Sequence, residues 1–300
     1  MASLYTHKDA NIRKTWLLFT VFFVVVIGIG WVFSYIYGNQ FILVVAVLLS
    51  IVMSFFSYWY SDKIVLRLTR AKKVEKKDNP ELYNIVENLA ITAGLPMPRV
   101  YVVDEGVPNA FATGRDPEHA VVAVTEGLLR ILDRSELEGV LAHELSHVGN
   151  RDMLVSTIVV VLVGFLVLLS DMFLRSIFWG SFGGGRGRRE GNAGAVIMLI
   201  GVILAILSPI VASLIQLAIS RKREYLADAS GALLTRYPEA LASALEKIGK
   251  HAAPMKSANN ATAHLWLSDP HGKRPGAISR MFMTHPPLED RIARLRGMNI

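Results

Sequence analysis

Hydrophobic and polar positions along this chain fall into long blocks rather than short periods. Thr15 to Tyr37 and Phe41 to Ser61 carry no charge, Met153 to Ser170 is a third apolar block, and Ala193 to Ser220 is a fourth. A helix of about 20 apolar residues spans the hydrocarbon core of a bilayer, so each block predicts a membrane helix. Tyr35, Tyr37, Tyr58, Trp59 and Tyr60 stand at block ends, where aromatic rings favour the membrane–water interface. The first block is too long for the apolar part of a secretory signal, and no small-residue cleavage site follows it. It reads as a retained anchor.

Between the blocks the pattern changes to short elements. Asn79-Pro80 predicts a helix start, with Asn as N-cap and Pro at the first helical position, running to about Ala93 before Gly94. Arg99 to Val103, Asn109 to Thr113 and Ala120 to Thr125 read as strands, with a turn at Gly114-Arg115-Asp116-Pro117. Ser135 followed by Glu138 has the form of a capping box and predicts a helix from Glu136 to about Val148. A last short helix is predicted over Leu288 to Arg296.

Lys and Arg set the orientation. Lys8, Arg13 and Lys14 precede the first block; Lys63, Arg67, Arg70, Lys72, Lys73, Lys76 and Lys77 follow the second; the connector Gly38-Asn39-Gln40 has none. Basic residues stay on the cytoplasmic side, which places both flanks there. Arg221, Lys222 and Arg223 after the fourth block agree, whereas Arg186, Arg188 and Arg189 in the Gly-rich loop between blocks three and four oppose it.

The net charge of +7 admits either nucleic acid or an anionic membrane surface as a partner. The basic clusters adjoin apolar blocks and no nucleic-acid motif is present, so the membrane is the partner expected, and no nucleic acid. The chain has no cysteine, which excludes disulfides, thiolate metal sites and a cysteine nucleophile.

The chemistry lies in the helix after Ser135. His143-Glu144-Leu145-Ser146-His147 is an H-E-x-x-H motif. Residues four apart share a helix face, so both imidazoles reach one divalent ion, with Glu144 beside them as general base. A catalytic zinc takes three protein ligands and leaves one position open. Without cysteine the third must be His, Glu or Asp, and Glu224 in Arg223-Glu224-Tyr225-Leu226-Ala227-Asp228 is the best candidate. Asp228, on the same helix face, is placed to accept the second N–H of a ligating histidine. One Zn²⁺ per chain is expected, although other divalent ions suit such ligands too.

These residues, with Pro108 to Gly114, Val124 to Leu129, Ser220 to Asp228 and Phe282 to Pro287 in the same order, give a chain that resembles the HtpX-type membrane zinc metalloproteases, relatives of the CAAX prenyl endoprotease. The resemblance implies the same ligand set, the same base, and substrates among misfolded membrane proteins during envelope or heat stress. The fold expected is a mainly α membrane protein, with four transmembrane helices and a zincin-like cytoplasmic catalytic domain containing a small β-sheet. Its parts are an N-terminal membrane hairpin (1–61), a first catalytic part (62–152), a second membrane hairpin with the Gly/Arg loop (153–220) and a second catalytic part (221–300). The expected location is the inner or plasma membrane.

Two weaker sites complete the reading. Asn109, Ala110, Phe111 and Ala112 are expected on an edge strand that can pair with an extended peptide. His285, before Pro286-Pro287, is a candidate to hold a substrate carbonyl or oxyanion. His7, His119, His251, His264 and His271 have no partner at ligand spacing and read as surface residues. The alternatives are a prenyl-protein endoprotease, for which four spans enclose too small a chamber, and a transporter or scaffold with a vestigial metal site. Against the latter, no span has an ionisable residue at its centre.

Overall fold

A computed structural model describes residues 4–165, 221–256, 262–272 and 286–298. The fourth apolar block, the Gly/Arg loop and His285 lie outside the described residues. The chain is mainly helical. Helices α1 (Leu4–Tyr37) and α2 (Phe41–Leu68) form a hairpin turned at Gly38 (φ 62°). Strand β1 (Lys72–Lys73), helix α3 (Pro80–Thr92), strands β2 (Arg99–Val103), β3 (Ala110–Thr113) and β4 (Val121–Thr125), and helices α4 (Glu126–Ile131) and α5 (Arg134–Gly149) follow. Helix α6 covers Met153–Phe165, and α7 (Arg221–Thr235), α8 (Pro238–Lys250) and α9 (Leu288–Arg296) complete the described elements.

Helices α1 and α2 are long and apolar enough to cross a membrane, and α5 with α6 counts as a third candidate if that bent pair is one span. Trp16, Val24, Trp31, Phe41, Leu48 and Phe55 are exposed, an arrangement that water penalises and lipid does not. Leu18, Phe22 and Val26 of α1 pack against Val155, Ile158, Val159 and Leu162 of α6, so α6 joins the hairpin.

Helix α2 runs past Ser61, where the apolar block ends, to Leu68. Its tail is a strut. Val65 is buried with Val103, Phe111, Ala123, Trp266 and Val160, and Asp62 accepts from Arg99 at 2.6 Å. Nearby, the Arg115 guanidinium lies 4.6 Å from the Trp59 ring centre.

The sheet has the order β1-β2-β4-β3, with β2 and β4 parallel and the other pairs antiparallel. Alternate residues point to opposite faces. Val100, Ala110, Ala112, Val122 and Val124 face the core built from α3, α5, α8 and α9. Val103, Phe111 and Ala123 face the α2 tail, Trp266 and α6.

Local signals explain the helix ends. The Asn79 side chain accepts from Leu82 N at 3.0 Å and caps α3, as its sequence predicts. For α5 the cap is Asp133, not Ser135: Asp133 Oδ1 accepts from Glu136 N at 2.9 Å, and Glu136 Oε2 accepts from Asp133 N at 2.9 Å. Two overlapping boxes are written here, and tertiary contacts select the earlier one. Glu136 is buried and also accepts from Ser243 and Lys247 of α8, each at 2.6 Å. Helix α5 ends in a Schellman motif, with Asp152 N donating to His147 O and Arg151 N to Val148 O. Arg151 takes the left-handed conformation (φ 56°) that this motif requires. The chain then bends by 84° into α6.

Glu224, Asp228 and Gly231 lie on one face of α7, packed on α5. A β-carbon at Gly231 would sit 2.8 Å from His143 N and 3.0 Å from His143 Cα. A glycine is needed because backbone, not a movable side chain, occupies that space.

Two stability outcomes follow, measured by thermal unfolding in detergent. Asp133→Ala should cost about 0.5–2 kcal/mol, while Ser135→Ala should stay within about 0.5 kcal/mol. The Glu136 backbone N–H and Ser135 hydroxyl hold the Asp133 carboxyl below its usual pKa. Its contribution is therefore present above the unfolded value of about 3.9 and lost as pH falls through the lower folded value, so the deficit of the Ala variant should shrink in acid. Gly231→Ala should cost about 1–3 kcal/mol by overpacking α7 on α5; an unchanged melting temperature would contradict the close approach.

Candidate metal centre

Helix α5 carries His143 and His147 one turn apart, and α7 brings Glu224 opposite them. The two Nε2 atoms are 3.3 Å apart. Glu224 Oε2 lies 3.9 Å from His143 Nε2, and Oε1 lies 3.6 Å from His147 Nε2. Ligands about 2.0–2.1 Å from a tetrahedral ion are separated by about 3.3–3.4 Å, so this triangle fits one divalent ion with little adjustment. The three residues form a group able to hold a metal.

Each imidazole has its own carboxylate on the far nitrogen. His143 Nδ1 is 3.0 Å from Asp228 Oδ1, and His147 Nδ1 is 3.4 Å from Asp152 Oδ2. A proton on each Nδ1 would leave each Nε2 to ligate an ion on the Glu224 side. Asp152 reaches its place through the Schellman turn that ends α5. Two guanidiniums back the carboxylates. Arg291 of α9 is wholly buried and donates to Asp228 at 2.6 and 2.9 Å, and Arg223 Nη1 lies 3.7 Å from Asp152.

Glu144, Glu224, Asp152 and Asp228 thus meet Arg223 and Arg291 around the two imidazoles. Burial raises the Glu144 pKa to about 7; the Glu224 charge adds to this, while His147 and Arg291 oppose it. Burial disfavours the charged form of His147, but Asp152 and Glu224 outweigh it and raise its pKa to about 9. Burial lowers the pKa of His143 despite its bond to Asp228. Asp228 is also desolvated, yet Arg291 and His143 hold its pKa at about 2.

The cleft over this group is lined by Ala112, Glu144, Met153, Ser156, His264 and Trp266 among others. Met153 and Ser156 are at the start of α6, so the cleft opens beside a membrane-associated helix. The expected edge is β3, and much of it is already paired. Leu267 N donates to Ala110 O at 2.8 Å, and the Asn109 side chain clasps the Ser268 backbone, accepting at 3.1 Å and donating at 2.9 Å. Phe111 packs edge-on against Trp266, with ring centres 4.8 Å apart. Of the four residues, Ala112 is the one that lines the cleft, and its backbone N–H favours the ionised form of Glu144.

His264 is not the surface residue its spacing suggested. It is buried, and Nε2 donates to Ser156 O at 3.0 Å. Asp152, Arg291 and His264 were missed because their partners are distant in sequence or sit outside any ligand spacing. His285 lies outside the described residues.

The sequence pattern of the family described as peptidase family M48 matches residues 76–299. A protease HtpX homolog of Caldanaerobacter subterraneus subsp. tengcongensis is 45% identical over 300 residues, covering 99% of each chain. One from Tropheryma whipplei is 49% identical over 98% of each chain, and one from Pyrococcus furiosus is 50% identical over 94% of each. Among solved structures, S. mikatae Ste24p is similar in fold, with TM-score 0.52 and 20% identity over 94% of this chain; the chain spans 62% of that one. With the M48 pattern over most of its length and HtpX-type relatives matched almost end to end, the chain belongs to peptidase family M48, among its HtpX-type membrane metalloproteases.

Proposed function

We propose that this membrane-bound metalloprotease is a zinc endopeptidase that cleaves misfolded or damaged membrane proteins at the cytoplasmic face of the cell membrane. The observation that carries the reading is the convergence of His143 Nε2, His147 Nε2 and a Glu224 oxygen beside the buried Glu144. Two imidazoles and a carboxylate are a ligand set that suits zinc. A zinc ion held there supplies Lewis acidity towards water and the scissile carbonyl.

The protein's own groups do the rest. Glu144 takes a proton from the attacking water and returns it to the departing amine. Burial pushes its pKa upward, which makes the carboxylate a stronger base than an exposed one. Asp228 and Asp152 hold the imidazoles in the tautomer that ligates. An extended substrate pairs with the outer edge of β3 at Ala112, beyond the stretch where Leu267 and Ser268 already occupy it. His285 remains a candidate for the carbonyl oxygen. The preference for membrane proteins rests on the place of Met153 and Ser156 in the cleft wall. A segment emerging from the bilayer beside α6 meets the site without crossing open water.

Two variants test the assignment by metal content and peptide cleavage in the purified protein. Glu144→Gln should retain metal and lose cleavage by several orders of magnitude. Glu224→Ala should lose metal. Cleavage surviving in metal-loaded Glu144→Gln would overturn the role of the base, and full occupancy in Glu224→Ala would remove the third ligand.

Four crossings with cytoplasmic catalytic parts are the topology we propose, on the basic residues Lys63 to Lys77 after the second block. The chain has no cysteine, so single-cysteine labelling needs no background removal. A cysteine at Gly38 should react with an impermeant thiol reagent in intact cells, and one at Lys76 should not. Reaction at Gly184 is expected if blocks three and four both cross. Labelling at Lys76 would overturn the cytoplasmic active site.

A further inference from the structure

The last helix contributes a guanidinium to the metal centre, and its geometry is more specific than charge balance requires. Arg291 has no exposed surface. Its Nε donates to Asp228 Oδ2 at 2.9 Å and its Nη2 to Oδ1 at 2.6 Å. Its other contacts are longer: 3.4 Å to Leu267 O and, equally, to both ring nitrogens of His143, and 3.9 Å to Glu224 Oε2. Asp228 is therefore the group Arg291 grips. The same Oδ1 faces His143 Nδ1 at 3.0 Å. A carboxylate bonded only to the histidine is free to rotate about Cβ–Cγ. With both oxygens held by a planar fork, it is not.

We propose that Arg291 is a positioning residue. By its two-point grip on Asp228 it fixes that carboxylate on His143 Nδ1, so that Nε2 is the nitrogen presented to the ion. The inference rests on the metal-site reading above. The second histidine offers a contrast within the same molecule: Asp152 is 3.4 Å from His147, and Arg223 is 3.7 Å from Asp152. The tightly held imidazole is His143, held from a helix at the far end of the chain.

The test measures metal affinity by chelator competition, and the visible absorption of the Co²⁺-loaded protein as a signature of ligand geometry. Arg291→Met should weaken metal binding by about 10–100-fold, as losses of such supporting partners do. Arg291→Lys should remain about tenfold weak, because an ammonium cannot form the fork. If Arg291 acts through Asp228, Arg291→Met should add less than about threefold in an Asp228→Asn background. Leu295→Ala removes buried packing from the same helix; it should lower the melting temperature while leaving affinity and the Co²⁺ spectrum unchanged. Wild-type affinity and spectrum in folded Arg291→Met would overturn the proposal, as would effects of Arg291→Met and Asp228→Asn that simply multiply. Should Arg291→Met not fold, the double variant, which leaves no lone buried charge, is compared with Asp228→Asn, and Arg291→Lys supplies the wild-type-background arm. Failure of the site reading is separate: it would show as full metal affinity in Glu224→Ala, whatever Arg291 does.

Discussion

The close contact of α7 on α5 is the constraint on which the rest of the catalytic part depends. Ligands from two helices meet at one ion only if the helix axes approach closely, because Glu224 and the histidines reach inward by one side chain each. Gly231, against the His143 backbone, removes the β-carbon that would hold the helices apart. Gly139, where a β-carbon would lie 2.9 Å from Leu241 N, does the same for α8 on the next face of α5. Helix α5 is thus gripped on two sides, and Glu136 at its start is anchored to Ser243 and Lys247. A helix so fixed gives His143 and His147 little freedom, and a site for an ion needs donors held to within fractions of an ångström.

A second fixed relation sets the site against the membrane. The α2 tail continues without a break from an apolar span into the face of the sheet, with Val65 in the same buried cluster as Phe111 and Trp266. At the cleft itself, α5 ends and α6 begins within a single turn. The cleft therefore has one part of its wall, at Met153 and Ser156, in the start of a membrane-associated helix. Its height relative to the bilayer is a property of helix continuity, not of a flexible linker.

Much of this was legible in the sequence. The first two apolar blocks, the Asn79-Pro80 start, the strands at Arg99 and Ala120 and the last helix are local patterns, and local patterns survive in the fold. The H-E-x-x-H motif is local too, and the absence of cysteine limited the third ligand to a carboxylate or a histidine. What was not legible depended on distant partners. Asp133 and Ser135 both begin acceptable capping boxes, and the buried contacts of Glu136 with α8 decide between them. Arg291 reads as one more charge on a C-terminal helix, since nothing near it in sequence shows that Asp228 lies opposite. Asp152 belongs to a turn whose left-handed residue is Arg151, not the glycine that would have marked it. His264 has no ligand spacing and becomes part of the cleft only because the segment through Leu267 pairs with β3.

The electrostatics of the centre follow from burial acting on groups with different partners. Desolvation disfavours the charged form of every one of them. Asp228 nevertheless keeps its charge, because Arg291 contacts both of its oxygens. Glu144, equally buried, has only a backbone N–H and more distant charges in its favour, with Glu224 against it, and its pKa rises to about 7. Two buried carboxylates of the centre are thus shifted in opposite directions, Asp228 down and Glu144 up. The one held ionised can only accept a hydrogen bond and orient an imidazole. The one whose pKa is raised is the carboxylate proposed above as the general base. The direct contact of the Arg291 guanidinium with Asp228, and not with Glu144, accounts for much of that difference, and it comes from helix α9.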